Sequence, residues 1–192
     1  VWRRPEIAGY LLDAERVVRP ANLGTRAPGR GLAFVAAADG SEVAVLNLLG
    51  SLFVNPPVDM FEVVDDLVAA ARERTPVVLV DLHAEATSEK IALARWLDGR
   101  VTAVLGTHTH VQTADARVLP GGTAAMTDVG MTGPHDSVIG VEARLAIERM
   151  RTGMPVRFEV AQGDVRIEGA LVTCDPATGR ATAIEPVRVP YP

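Results

Sequence analysis

The chain has 192 residues, 48% of them hydrophobic, 22% charged and 4% aromatic. That suits one domain able to bury a sizeable core, and it excludes a disordered or collagen-like chain. Nineteen basic residues against 24 acidic ones give a net charge of −5, which disfavours long nucleic acids and anionic membrane surfaces as partners.

Lys90 is the only lysine; the other 18 basic residues are arginines. Six of them (Arg3, Arg4, Arg16, Arg19, Arg26, Arg30) fall in the first thirty residues against three acids, a local excess of +3. A solvated face is the preferred reading of that excess over an anion-steering patch. Cys174 is the single cysteine, so no intrachain disulfide can form. The most apolar run, residues 43–54, is 12 residues long and broken by Asn47, Gly50 and Ser51, too short for a membrane span. The N-terminus is too charged for a signal peptide, and a cytoplasmic location is expected.

Residues 5–15 read as a helix, with Pro5 in the first turn and Ile7, Leu11 and Leu12 at helical spacing. Two β-prone runs, 32–36 and 43–49, flank the turn signal Asp39-Gly40. Asp59 caps a helix, with Glu62 three residues on and Met60, Val63, Val64, Leu67, Val68 and Ala71 in one stripe. The run 76–80 reads as a strand covered on both faces and leads into Asp81-Leu82-His83. A helix follows at about 88–97, then a buried strand at 101–105 ending in Gly106-Thr-His-Thr-His110. A third strand, 124–129, runs into a Gly-rich turn at 130–140. The helix 141–152 should turn Ala143, Ile147 and Met150 inward and stop at Gly153. Residues 156–189 alternate like antiparallel strands. The order of elements predicts an α/β fold with helices outside a buried sheet.

Three of the four histidines, His83, His108 and His110, lie at the C-terminal ends of two predicted buried strands, where α/β folds place ligand chemistry. Residues i and i+2 of an extended segment share a side, so His108 and His110 can aim at one site. A metal site is the expected use of the three, and imidazole alone does not choose the ion. Asp81 and Asp128 are candidates to accept a ligand's second N–H or simply to cap turns. Glu85 is a candidate polar site residue, Ser88 and Glu89 the start of the next helix, and His135 a loop residue near the site. Three imidazoles would suit a mononuclear zinc hydrolase, and a two-metal centre would need a bridging carboxylate as well. Serine or cysteine nucleophile chemistry finds no motif.

The strings Asp81-Leu-His-Ala-Glu-Ala-Thr-Ser-Glu-Lys90, Gly106-Thr-His-Thr-His-Val-Gln-Thr-Ala-Asp115 and Thr127-Asp-Val-Gly-Met-Thr-Gly-Pro134 resemble the bacterial calcineurin-like metallophosphoesterases of the YmdB cyclic-nucleotide phosphodiesterase type. Arg19-Pro-Ala-Asn22 and Met154-Pro-Val-Arg-Phe158 match as well. The resemblance implies a four-layer αββα sandwich with two metal ions, iron or manganese first and zinc as the alternative. It implies His83 and His108 on one metal and His110 on the other. A metal-bridging hydroxide would attack small cyclic nucleotides, 2′,3′-cyclic and, more widely, 3′,5′-cyclic.

Family members carry Gly-Asp, Asn-Gly-Glu-Asn and Gly-Asn-His motifs ahead of the point where Val1 aligns. The catalytic histidine is among them, so no catalytic residue is assigned within residues 1–192. The expectation is a single domain comprising the C-terminal two-thirds of the fold, inactive or weakly active alone, with homo-oligomerisation left open. The alternative is a non-catalytic interaction module with an incomplete metal site.

Overall fold

The computed structural model describes residues 6–191. Pro5, Arg3 and Arg4 therefore lie outside the described residues. Helix α1 is Glu6–Asp13. Strands β1 (Leu32–Ala36) and β2 (Glu42–Leu49) pair antiparallel across the expected turn. Gly40 takes φ 86°, which strains any residue with a Cβ, and the Asp39 carboxylate accepts the Ser41 N–H at 2.9 Å.

Helix α2 (Met60–Arg72) starts where the cap predicts, with the Asp59 side chain accepting the Phe61 N–H at 2.8 Å. Its buried residues are Met60, Val64, Val68 and Ala71, with Val63 and Leu67 partly covered. Strand β3 (Val78–His83), helix α3 (Thr87–Trp96), strand β4 (Ala103–Thr107), and short strands β5 (Arg117–Val118) and β6 (Ala124–Met126) complete the first sheet. Its order is β1-β2-β3-β4-β6-β5. The four central strands β2, β3, β4 and β6 run parallel, and the antiparallel β1 and β5 close the edges. Leu46, Leu48, Leu82, Leu93 and Leu97 are fully buried in one core beneath α2 and α3. Each such side chain is worth about 1.5–3 kcal/mol of transfer free energy.

A second, antiparallel sheet holds β7 (Gly133–Asp136), β8 (Gly163–Cys174) and β9 (Ala181–Pro190). Ala103, Ala124 and Ala181 meet between the two sheets, with Leu79, Leu105, Val172 and Ile184 packed around them. Strand β3 is thus covered on both faces, as its unbroken apolar run requires. Helix α4 (Ala143–Thr152) is inserted between β7 and β8 and ends at Gly153, in the left-handed conformation at φ 68°. The architecture is mixed α/β: a six-stranded mixed sheet with α2 and α3 on one face and a three-stranded antiparallel sheet on the other. Among the described residues no helix is long and apolar enough to cross a membrane.

Two expectations are corrected. The Gly-rich segment 130–140 is not only a turn, because residues 133–136 pair with β8 as a strand. Helix α4 buries Leu145 and Ala146, whereas Ile147 is 49% and Met150 77% exposed, and Ala143 is exposed too. Bridges from Val141 to Val138 and Val160, with the Glu142 N–H on the Glu159 carbonyl, fix how the helix is rotated. Periodicity identified the helix but not which side of it the fold would cover.

Candidate functional site

The parallel register aligns the C-terminal ends of β2, β3 and β4. His83 stands opposite Leu49 on one side and Thr107 on the other, and Asp81 stands opposite Asn47. A line of side-chain hydrogen bonds crosses the three strands. Asn47 Nδ2 donates to Asp81 Oδ2 at 2.6 Å, and the Thr107 hydroxyl donates to Asp81 Oδ1 at 3.0 Å. Having given its proton to Asp81, Thr107 Oγ1 accepts from His83 Nδ1 at 3.2 Å. That assigns the His83 proton to Nδ1 and leaves a lone pair on Nε2. Burial pushes the Asp81 carboxyl above its ordinary range, against the pull of the Thr107 and Asn47 hydrogen bonds. Burial, then the neighbouring His108, holds the His83 ring below the usual histidine value, so it is neutral at pH 7.

His83 Nε2 faces His108 Nδ1 at 2.9 Å, and the two rings meet edge to face with centroids 4.7 Å apart. The outer nitrogen of His108, Nε2, lies 2.9 Å from Glu85 Oε2. Each ring therefore has an acceptor for its outer N–H, and the inner nitrogens confront one another. A proton shared between them, or a metal ion bound beside both, would relieve two facing lone pairs. Two imidazole nitrogens on one ion at about 2.1 Å would be about 3.0 Å apart at a right angle and about 3.4 Å at the tetrahedral angle, so the 2.9 Å separation is close to the first and short for the second. Among the described residues no group of three or more His, Cys, Asp or Glu converges closely enough to hold an ion.

His110 does not join the pair by the expected route. Strand β4 ends at Thr107, and His108 and His110 take left-handed φ values of 104° and 64°, so the segment is bent rather than extended. The rule that residues i and i+2 share a side lapses there. His110 is exposed, and its ring makes no hydrogen bond to a described residue.

The bend is held from beneath by Asp128. Its Oδ2 accepts Thr109 N–H at 3.0 Å, the Thr109 hydroxyl at 2.7 Å and Lys90 Nζ at 3.1 Å, and its Oδ1 accepts Gly130 N–H at 2.9 Å. Lys90 and Asp128 are 3% and 1% exposed, a buried ion pair clamping the residue between the two histidines. Two of the sequence strings are bonded into one unit around it. The Thr113 hydroxyl accepts the Asp128 N–H at 3.0 Å, and Asp115 Oδ1 accepts the Thr127 N–H at 3.1 Å. Gln112 Nε2 reaches the Gly169 and Val187 carbonyls at 3.0 Å each and so ties the histidine loop to the second sheet.

Of the remaining candidates, Glu85 meets His108 as described, and Ser88 and Glu89 lie in α3 as expected. Glu89 does more than start a helix, since its Oε1 accepts the Ser51 and Leu52 N–H groups at 2.6 and 3.0 Å. His135 lies on β7 rather than in a loop, with Nε2 3.1 Å from the Met131 carbonyl. Arg19 is neither solvated nor free to steer anions: it is buried, and its guanidinium donates to the carbonyls of Pro20, Ala21, Gly24 and Ala27. Cys174 ends β8, and burial pushes its thiol up. Asn47, Thr107, Thr109 and Gln112 were not singled out from the sequence. The available signal for Asn47 was a lone amide inside an otherwise apolar strand.

A family model described as YmdB-like protein matches residues 1–187. The chain belongs to the YmdB-like family. It is 48% identical over 188 residues to the 2′,3′-cyclic-nucleotide 2′-phosphodiesterase of Bacillus subtilis strain 168, covering 98% of this chain and 71% of that protein. It is 34% identical over 194 residues to a putative phosphatase/phosphodiesterase of Mycoplasma pneumoniae, covering 98% of this chain and 68% of that protein. Among solved structures, a hypothetical protein from Thermus thermophilus superimposes with a TM-score of 0.88 at 42% identity, over 100% of this chain and 74% of that one. A phosphatase from Mycoplasma pneumoniae gives 0.85 at 33% identity, over 98% of this chain and 68% of that one.

Proposed function

We propose that the protein is a metal-dependent phosphodiesterase of small cyclic nucleotides, with 2′,3′-cyclic nucleotides as the first substrates and 3′,5′-cyclic ones as the wider class. The observation that carries the reading is the His83–His108 pair, with inner nitrogens 2.9 Å apart and each outer nitrogen supplied with an acceptor. The Bacillus subtilis relative, 48% identical, suggests the substrate class.

His83 and His108 would hold one ion and His110 would serve a second, with iron or manganese expected and zinc the alternative. Ions bound there would polarise a phosphoryl oxygen and offset the charge that develops on it. The chain's own residues do the positioning. Thr107 and Asp81 keep the His83 proton on Nδ1, so Nε2 faces His108 as an acceptor. Glu85 does the same for the outer nitrogen of His108. Asp128 fixes the bend through Thr109, and Lys90 neutralises it, so that this carboxylate does not repel an incoming phosphate.

The test is metal content by elemental analysis together with hydrolysis of 2′,3′-cyclic AMP, for the whole protein and for its His108→Ala variant. The variant should keep its circular dichroism spectrum and lose bound metal and at least about 100-fold in turnover. Near wild-type turnover in His108→Ala would reject the assignment. One observation favours a second reading, a non-catalytic interaction module: no three ligand-type side chains converge among the described residues. That reading predicts neither stoichiometric metal nor turnover.

A further inference from the structure

Residues 50–57 leave the C-terminal end of β2 beside His83, with the Gly50 N–H donating to the His83 carbonyl at 3.0 Å. The loop is braced along its length. At its base the fully buried Asn22 joins both ends: its Nδ2 donates to the carbonyls of Leu49 at 2.8 Å and Val58 at 3.1 Å, and its Oδ1 accepts the Leu49 N–H at 2.9 Å. Further along, Glu89 Oε1 takes the Ser51 and Leu52 N–H groups, and the Ser51 hydroxyl donates to Asp59 Oδ2 at 2.7 Å. The Asn55 N–H closes back onto the Ser51 carbonyl at 3.2 Å. Gly50 leaves no room for a side chain, since a Cβ would press on Ala84 and the Glu89 carboxylate at 2.6 Å.

All this bracing presents an aromatic ring to water. Phe53 is 81% exposed and sits at φ 71°, a conformation a bulky residue rarely adopts. Asn22, bonded to Leu49 and Val58, and Glu89, bonded to Ser51 and Leu52, hold the backbone on either side of it at the sheet end that carries the histidines. Strain kept at such a place points to use.

We propose that Phe53 is the platform on which the base of a nucleotide substrate stacks, and so a specificity-determining residue of the reaction proposed above. The proposal rests on that reading. With the phosphate at the histidines, the base would lie across the ribose, and Phe53 stands three residues beyond Gly50, whose N–H bonds the His83 carbonyl. Stacking accepts any base, because every base has a π face. The site therefore selects nucleotides over base-less sugar phosphates without choosing among bases.

The test is calorimetric binding of two probes, adenosine 3′-monophosphate and base-less ribose 3-phosphate, to the wild type, Phe53→Ala and Phe53→Trp. The wild type should prefer the nucleotide. Phe53→Ala should weaken nucleotide binding by about 5- to 150-fold and leave ribose phosphate unchanged. Phe53→Trp should restore the nucleotide affinity, and its indole emission should be quenched by the nucleotide but not by ribose phosphate. Unchanged nucleotide affinity in Phe53→Ala, or equal losses for both probes, overturns the platform. A wild type that binds both probes equally overturns the platform alone. A wild type that binds neither overturns the phosphodiesterase reading with it.

Discussion

Lys90→Met keeps the length of the side chain and removes the charge facing Asp128. The ion pair spans 3.1 Å between side chains 3% and 1% exposed, so water cannot replace the lost partner. Breaking a buried pair from one side costs about 3–5 kcal/mol. Asp128 keeps its bonds from Thr109 N–H, Thr109 Oγ1 and Gly130 N–H, which places the cost at the lower end, about 3 kcal/mol. At this chain length that lowers Tm by about 6–12 °C. Urea unfolding measures it, and a cycle with Asp128→Asn isolates the pair. The double variant should lose less than the sum of the singles, by at least about 1 kcal/mol. A loss under about 1 kcal/mol for Lys90→Met, or strict additivity in the cycle, would refute the argument that this pair is what fixes the bend between His108 and His110.

Thr107→Val is nearly isosteric and cuts the link between Asp81 and His83; metal affinity should fall about 10- to 100-fold while the fold is retained, and an unchanged metal titration would rule out the positioning role. Gly106→Ala would drive a Cβ into the Thr127 carbonyl, so β4 must shift away from β6; a stability loss of about 1–3 kcal/mol is expected, and a neutral result in urea unfolding would contradict the close approach. Asp115 is held below the ordinary carboxylate range: burial raises it, but bonds from the Thr113 hydroxyl and the Thr127 N–H prevail. Its contribution is present above about pH 4 and is lost as pH falls through the lowered value. Asp115→Asn should therefore make stability less dependent on pH below about 4, and unchanged acid sensitivity would count against it.

Much of the scaffold was legible because its signals are local. The cap at Asp59, the apolar runs into His83 and Thr107 and the turn at Asp39-Gly40 each depend on neighbours a few residues away. The site was legible as residue types at strand ends, which is how His83, His108, Glu85, Asp81 and Asp128 came to notice. Lys90 and Glu89 were harder to read, because charged residues in a helix usually face water, and only packing against the sheet reveals that both are buried.

The amino-acid sequence by itself determined the α/β alternation, the family, and the placing of His83 and His108 at or just beyond the ends of neighbouring strands. Tertiary structure decided which atoms meet. Parallel register set Asn47 opposite Asp81 and Thr107 opposite His83, a pairing across 34 and 24 residues that no local pattern encodes. The left-handed backbone at His108 and His110 cancelled the alternation on which their shared aim had rested. The bridges at Val141 turned the apolar stripe of α4 toward solvent. Periodicity is a property of one element. Register, bend and rotation arise only when elements pack, and they are what set two imidazole nitrogens 2.9 Å apart.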